Sequence, residues 1–254
     1  MNSIEFVGPS GIGKTTFLNA LLKTRSVPSW ITRDEGIKIA ASKYTGIPEK
    51  VVVKAGRLLG LSITTKNKSD YLEKIKQYDS ECSLLVDAFF DNLHRNNSKA
   101  WQNVRRFDYY IKSILYKYLL LHETIEDKTI IFDEGILHCG GIRSITLNSD
   151  KYKNIARSKI FPKGAIFFNL EKDQYRERLL TRFEEKGERS INSLRSNVSD
   201  EELERSIHGA QKGADERLEA CKLINLPVLE IESVPTEMNL KRALNFIKEI
   251  SEKE

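Results

Sequence analysis

The sequence predicts an α/β fold in which five parallel strands form a doubly wound sheet with helices on both faces. Five short apolar runs recur along the chain, and such runs are typical of strands that a sheet buries on both sides. Helical stretches separate consecutive runs, as connections between parallel strands require. A glycine-rich segment follows the first run directly and precedes a helix, which is the arrangement expected where such a sheet binds a ligand.

The five apolar runs give the predicted strands in chain order: Ile4–Val7, Ser29–Thr32, Thr129–Phe132, Ala165–Leu170 and Val228–Ile231. Ligands of a doubly wound sheet bind beyond the carboxyl ends of its strands. The residues with the strongest chemical character stand at those ends, in Gly8–Thr15, Arg33–Gly36, Asp133–Gly135 and the segment after Leu170. We therefore expect the functional site at this edge of the sheet.

The segment FVGPSGIGKTT after the first strand fits the Walker A spacing of a phosphate loop, Gly-x-x-x-x-Gly-Lys-Thr. Its glycines allow the backbone N–H groups to turn inward, and the N-terminus of the following helix adds positive potential. Lys14 would reach the outer phosphates of a nucleotide, and the Thr15 hydroxyl would bind Mg²⁺. The alternative is a glycine-rich turn that only precedes a helix. The pattern predicts a nucleotide held by Gly8, Pro9, Ser10, Gly11, Ile12, Gly13, Lys14, Thr15 and Thr16.

The stretch between the second and third strands is too long for a simple crossover and predicts a helical inset at about 44–124. The core of a single domain would then comprise 1–43 and 125–254. One inset helix, starting at Ser69 or Asp70, would bury a face made of Tyr71, Ile75, Tyr78, Cys82, Leu85, Phe89 and Leu93.

A second inset helix, from about Ala100 to His122, would turn Trp101, Val104, Ile111, Leu115 and Tyr118 inward. Aromatic residues at this spacing can pack in a core or offer a stacking platform for a base, and the pattern favours the core. The inset as a whole would lie over the strand ends, where it can shape an acceptor pocket and exclude water.

An arginine-bearing segment at about 172–198 follows the fourth strand and is predicted to form a lid. Arg178 and Arg182 are four residues apart and share a helix face, and Arg176 and Arg189 flank them. The alternative is a charged helix surface paired with Glu177, Glu184 and Glu185. Beyond this segment, Ser199 to Glu202 resembles a capping box that opens a helix towards Cys221, and a closing helix is predicted from Thr236 onwards.

The third strand ends in TIIFDEG, which supplies the acidic partner of the phosphate loop. Asp133 at the strand end would complete the Mg²⁺ shell. Glu134 would polarise an attacking water in an ATPase, or a substrate hydroxyl in a kinase. The alternative for Glu134 is an exposed or structural carboxylate. His138 follows closely and could also reach the pocket.

Composition and charge restrict the function classes. The 254 residues are 40% hydrophobic and 30% charged, which is ordinary for a globular protein, and the net charge of +5 does not by itself indicate nucleic acid. No apolar run is long enough to span a bilayer, and the first strand begins too early for a leader peptide. The three cysteines have no metal-ligand spacing. We expect a cytoplasmic protein without a nucleic-acid or membrane partner, whose oligomeric state is open and could be a homodimer.

The arrangement resembles the P-loop nucleotide and nucleoside kinase family, thymidylate kinases most closely. Four pieces carry the likeness: GPSGIGKTT, the Thr32–Gly36 segment TRDEG, Arg105-Arg106 on a long helix, and the arginine-bearing Asp173–Arg189 segment. The resemblance implies that Lys14 holds the transferred phosphate, and that Thr15 and Asp133 serve Mg²⁺. It also implies that Arg178, Arg182 or Arg189 closes over the triphosphate, and that Arg33, Asp34 and Glu35 face the acceptor, with one carboxylate available as a base.

One departure from the family affects the expected substrate. Thymidylate kinases have Arg after the strand-three Asp, whereas this chain has Glu134. A carboxylate repels a phosphate, so an uncharged hydroxyl acceptor such as a nucleoside or sugar is favoured over a nucleotide. The expected function is an ATP- and Mg²⁺-dependent small-molecule kinase. Two alternatives are a P-loop ATPase that drives a conformational switch in a partner, with Glu134 activating water, and a nucleotide-binding regulatory module.

Overall fold

The computed structural model describes residues 1–25, 29–45, 78–95, 100–139, 141–146, 149–186 and 199–252. A five-stranded sheet lies at the centre, and every pairing in it is parallel. The strands are β1 (Asn2–Val7), β2 (Trp30–Thr32), β3 (Thr129–Phe132), β4 (Gly164–Asn169) and β5 (Val228–Glu232), in the spatial order β2-β3-β1-β4-β5. The predicted α/β class and all five predicted strands are confirmed, with small shifts at the strand ends.

The strands are buried on both faces, which explains their continuous apolar sequence. Val7, Phe132 and Phe167 point to one hydrophobic core, whereas their neighbours in sequence pack in a second core on the opposite face. Successive side chains of a strand alternate between faces, so two helical layers must cover the sheet. Burying a polar side chain on either face therefore costs free energy unless it is hydrogen-bonded. Glu5, in the middle of β1, is a buried charged residue and needs such partners.

Helices cover the sheet on both sides. In chain order they are α1 (Lys14–Thr24), α2 (Arg33–Thr45), α3 (Asp79–Arg95), α4 (Ala100–Tyr109), α5 (Tyr116–Thr124), α6 (Ile136–Cys139), α7 (Ser149–Tyr152), α8 (Lys172–Lys186), α9 (Asp200–Leu223) and α10 (Glu237–Glu252). A π-helical segment, Tyr110–Leu115, joins α4 to α5, and short 3₁₀ helices span Ile142–Thr146 and Ile155–Arg157. No helix in the described ranges is both long and apolar enough to cross a bilayer.

The first inset helix has the buried face that its sequence predicts, as far as the described residues reach. Cys82, Leu85, Phe89 and Leu93 of α3 are all buried, and Tyr78 packs beside them. The predicted start at Ser69 or Asp70 and the inward positions Tyr71 and Ile75 lie outside the described residues.

The second inset helix is only partly as predicted. Ile111, Leu115 and Tyr118 are buried, but Trp101 and Val104 are 59% and 68% exposed, so their predicted inward orientation is wrong. The π-helical segment supplies the reason: its wider turn holds an extra residue, which rotates the apolar face that precedes it relative to the face that follows. A regular 3.6-residue period carried across this segment therefore assigns α4 to the core incorrectly.

The C-terminal third follows the sequence patterns closely. Ser199 Oγ accepts a hydrogen bond from the Glu202 N–H, and Glu202 Oε2 accepts one from the Ser199 N–H, each at 3.2 Å, so the predicted capping box is present. The closing helix α10 begins at Glu237. Of the predicted lid, α8 is described, whereas residues 187–198, including Arg189, lie outside the described part of the chain.

Candidate active site

The phosphate loop, Gly8–Thr16, has the backbone conformation that its glycines were expected to allow. Gly11 and Gly13 have φ values of 85° and 110°, a region that side chains rarely adopt. Gly13 is the N-cap of α1, with no side chain capping the helix and no acidic residue in its first turn. The loop therefore delivers the chain to the start of α1 with the helix N-terminus open.

The open end of α1 is suited to an anion. Within the described residues, the backbone N–H groups of Lys14, Thr15 and Thr16 have no hydrogen-bond acceptor. The aligned peptide dipoles of an eleven-residue helix add positive potential at the same point. A cavity of about 420 Å³ opens there, lined by the loop together with Glu134 and Arg182.

Lys14 places its ammonium group inside the loop. Its Nζ donates to the carbonyl oxygens of Gly8 at 2.9 Å and Pro9 at 3.2 Å, and the side chain is buried. Burial lowers the pKa of Lys14, while the nearby Glu134 and Asp133 carboxylates oppose that effect. The cation is thus partly desolvated and carboxylates lie close to it, as expected of a group that neutralises a phosphate.

Asp133 and Thr15 present oxygen atoms beyond the carboxyl ends of two neighbouring strands. Asp133 directly follows β3, and Thr15 lies in the helix that begins after the phosphate loop of β1. Glu5 of β1 is in register with Phe132 of β3, so the loops after these two strands leave the sheet side by side. Asp133 Oδ1 accepts from the Glu134 N–H at 3.1 Å and faces Arg33 Nη1 at 3.3 Å, which leaves Oδ2 without a partner among the described residues. The Thr15 side chain is exposed, and its hydroxyl has no partner there either.

This donor set fits Mg²⁺ bound largely by phosphate oxygens and water. A hydroxyl and a carboxylate are oxygen ligands of the kind that Mg²⁺ prefers. The described residues contain no cluster of three or more acidic, histidine or cysteine side chains that would form an all-protein metal cage. Thr15 and Asp133 alone are too few ligands for an independent metal site among the described residues.

Glu134 lies beside the phosphate loop and close to a residue that lines a second cavity. Its side chain is 43% exposed, it lines the cavity of the phosphate loop, and its Oε1 is 3.8 Å from His138 Nε2. His138 lines a second cavity. Burial and the cations Arg217 and Lys14 lower the pKa of His138 to about 3, so its imidazole is neutral at physiological pH. Among the described residues, no charged side chain lies within ion-pair distance of Glu134, so its carboxylate is available to groups in the cavity of the phosphate loop.

Glu5 holds the turn that carries these acidic residues. Its carboxylate is fully buried and accepts from the N–H groups of Gly135 at 3.0 Å, Leu137 at 2.8 Å and His138 at 2.6 Å. The Tyr118 hydroxyl donates to it as well, at 3.2 Å. Burial raises the pKa of Glu5 to about 7 in spite of these four donors. Through Glu5, strand β1 thus holds the turn that follows β3.

The expected acceptor segment Arg33–Gly36 forms the first turn of α2. Glu35 accepts from Arg25 Nη2 at 2.7 Å and from the Thr32 N–H at 2.8 Å, and these contacts lower its pKa to about 2. Glu35 is therefore committed to holding β2 and α2 together and is a poor base. Asp34 is exposed and pairs with Arg33, whereas Arg33 itself reaches Asp133.

Helix α8 packs against the outside of the phosphate loop. Tyr175 donates its hydroxyl to the Ser10 carbonyl at 2.7 Å, and Arg178 Nη1 donates to the Ile12 carbonyl at 2.7 Å and to Ser233 Oγ at 2.8 Å. Arg178 thus fixes the loop in this conformation. Arg182 instead lines the cavity of the loop.

A larger cavity, of about 750 Å³, has His138 among its lining residues and is called the arginine cavity. Four arginines line it, together with aromatic residues and polar groups, and no carboxylate is among its described lining residues. The exposed Trp101 and Tyr109 of α4 line this cavity. The lining consists of Phe89, Asn92, Leu93, Trp101, Gln102, Arg105, Arg106, Tyr109, Tyr110, His138, Cys139, Arg143 and Arg217.

The comparisons with known proteins add no relatives: no protein-family model matches the chain, and no curated protein matches it with significant similarity. The functional reading therefore depends on the site itself.

Sequence reasoning missed Glu5, Tyr175, Arg143 and Arg217. Only Glu5 gave a usable signal, because a charged residue inside an apolar strand must find buried partners. Tyr175 lies in a mostly charged helical stretch, and Arg143 and Arg217 are arginines whose local sequence does not distinguish them from surface arginines.

Proposed function

We propose that this protein is an ATP- and Mg²⁺-dependent kinase that phosphorylates a hydroxyl group of a small molecule. The observation that carries the proposal is a pair of cavities whose lining residues Glu134 and His138 lie 3.8 Å apart. The phosphate loop offers an open helix N-terminus and Lys14 to a polyphosphate, and the second cavity, of about 750 Å³, offers space for an acceptor.

The transfer would take place at Glu134. The acceptor oxygen forms a bond to the γ-phosphorus while the bond from that phosphorus to the β,γ-bridging oxygen breaks, and ADP leaves with the electron pair. The hydroxyl proton passes to the Glu134 carboxylate. Glu35 is unsuited to this role because Arg25 already holds its carboxylate.

The remaining groups of the site position and neutralise the phosphates. Lys14 would exchange its loop carbonyls for phosphate oxygens, and Arg182 would offset charge that develops on the transferred group. Thr15 and Asp133 would hold Mg²⁺, which when bound neutralises part of the phosphate charge. Arg178 and Tyr175 would keep the loop in its binding conformation through their contacts to its carbonyl oxygens.

A labelled-ATP experiment tests the proposal against an ATPase that uses Glu134 to activate water. The protein is incubated with γ-labelled ATP, Mg²⁺ and pools of nucleosides, nucleotides, sugars and sugar derivatives. Label in a pool component supports a kinase. Label released only as inorganic phosphate, at a rate that no pool changes, contradicts it and supports the ATPase.

The role of Glu134 has a separate test. Changing Glu134 to Gln keeps the size of the side chain but removes the proton acceptor, so we expect turnover to fall by about 10²- to 10⁴-fold. ATP affinity, measured by calorimetry, should stay within a few-fold of the wild-type value. Near-normal turnover would exclude Glu134 from the chemistry.

A further inference from the structure

We propose that the acceptor carries an anionic group, either a phosphomonoester or a carboxylate, and that Arg217 and Arg143 bind it in the arginine cavity. This inference rests on the proposed kinase function and specifies the substrate class of that enzyme. It replaces the uncharged acceptor that Glu134 alone led us to expect.

The two guanidinium groups approach the same glycine. A Cβ atom placed on Gly213 would be 3.4 Å from Arg217 Nη1 and 3.8 Å from Arg143 Nη1. Two like charges so close to one residue repel, and a bound anion would offset that repulsion. Burial and the neighbouring Arg143 both lower the pKa of Arg217, which records the same unfavourable crowding.

The protein compensates one of the two charges. Arg143 donates its Nε to Glu216 Oε2 and forms an ion pair with that carboxylate. Arg217 donates to two carbonyl oxygens, those of Gly213 at 2.8 Å and His138 at 3.2 Å. No carboxylate among the described residues lies within ion-pair distance of Arg217. A guanidinium has five N–H donors, so Arg217 retains donors and a net charge for a ligand.

Arg217 also lies on the side of the arginine cavity that is near Glu134 and the phosphate loop. Arg217 donates to the backbone carbonyl of His138, and the His138 ring lies near Glu134. The charge of Arg217 also contributes to the lowered pKa of Lys14 in the phosphate loop. Arg105 and Arg106 add two further positive charges along the exposed side of the cavity. Even with Arg143 offset by Glu216, three arginines of the cavity stand against the one carboxylate of Glu134, so the combined field attracts an anion in spite of that residue. Guanidinium groups also match the planar oxygens of carboxylates and phosphates.

Matched acceptor pairs test the substrate class. Each pair contains a neutral compound and an anionic counterpart: nucleosides with their 5′-monophosphates, hexoses with hexose phosphates, and glycerol with glycerate. We expect kcat/KM for the anionic members to be higher by about 10- to 100-fold, the value of a charge-assisted hydrogen bond. The phosphate and carboxylate pairs show which anion is preferred. Equal or better transfer to the neutral members overturns the inference while leaving the kinase proposal intact.

Variants of Arg217 test the residue. Changing Arg217 to Gln should raise KM for the anionic acceptor by about 10- to 100-fold and leave KM for ATP within a few-fold, with partial recovery in Arg217→Lys. The control is Arg205→Gln, which removes an exposed arginine of the same helix outside the cavity. A rise in the KM for ATP in place of the acceptor KM would show that Arg217 serves the nucleotide, and would overturn the inference.

A binding measurement separates this inference from the kinase proposal. The phosphate loop is first saturated with a non-hydrolysable ATP analogue, and inorganic phosphate is then titrated by calorimetry. Binding in the wild type that is lost in Arg217→Gln and Arg143→Gln, but kept in Arg205→Gln, supports an anion site even if no acceptor is labelled. Equal weak binding in all four proteins contradicts it.

Discussion

Glu5 provides a test of how the strand beneath the site supports it. Its carboxylate is fully buried, and burial raises its pKa from 4.5 to about 7. Between these two values the folded protein holds a proton that the unfolded chain has released. The protonated Glu5 therefore makes its largest contribution to the free energy of unfolding below pH 4.5, and this contribution is lost as the pH rises through about 7.

The size of the effect follows from the shift. Each pKa unit corresponds to about 1.4 kcal/mol, so the change from 4.5 to about 7 is worth about 3 kcal/mol. Changing Glu5 to Gln gives a neutral side chain of nearly the same shape as the protonated acid. Any loss of hydrogen bonding in the variant changes its stability by the same amount at every pH and does not alter its pH profile. We expect the unfolding free energy of Glu5→Gln to gain about 3 kcal/mol relative to the wild type between pH 5 and pH 8.

Urea unfolding of both proteins at several pH values in this range measures the difference. The neighbouring His138 has a lowered pKa of about 3 and contributes stability that is lost as the pH falls below 6.5, but this contribution is common to both proteins and cancels. Parallel pH profiles for the two proteins would show that Glu5 is already ionised when folded, and would refute the reasoning.

Three further predictions concern the loop, the turn and the lid helix. Gly13→Ala should abolish ATP binding in calorimetry, because φ is +110° and the new Cβ would lie 3.0 Å from a guanidinium nitrogen, whereas Gly209→Ala, with open space around it, should bind normally. Gly135→Ala should lower the free energy of unfolding by about 1–3 kcal/mol in urea, because its Cβ would clash with the buried hydroxyl of Tyr118; wild-type stability would contradict this. Arg182→Ala should lower kcat by about 10³-fold with little change in melting temperature, whereas Arg178→Ala should lower the melting temperature; the reverse pattern would exchange their roles.

The strands and the phosphate loop were predictable because local sequence encodes them. A buried parallel strand must be continuously apolar, and positive φ values at Gly11 and Gly13 require glycine, so both leave patterns in a few consecutive residues. The capping box at Ser199 is local in the same sense. The orientation of Trp101 was not predictable, since it depends on a π-helical turn several residues further along the helix.

The sequence alone determined the five strands, the loop after the first of them and the acidic residues after the third, because each depends on residues adjacent in the chain. Only the tertiary structure decided what those residues contact. It placed Glu5 beneath the acidic turn, committed Glu35 to Arg25, and brought Arg143 beside Arg217 from separate helices. Contacts between residues so far apart in the chain depend on how the helices pack, and no local pattern records that packing.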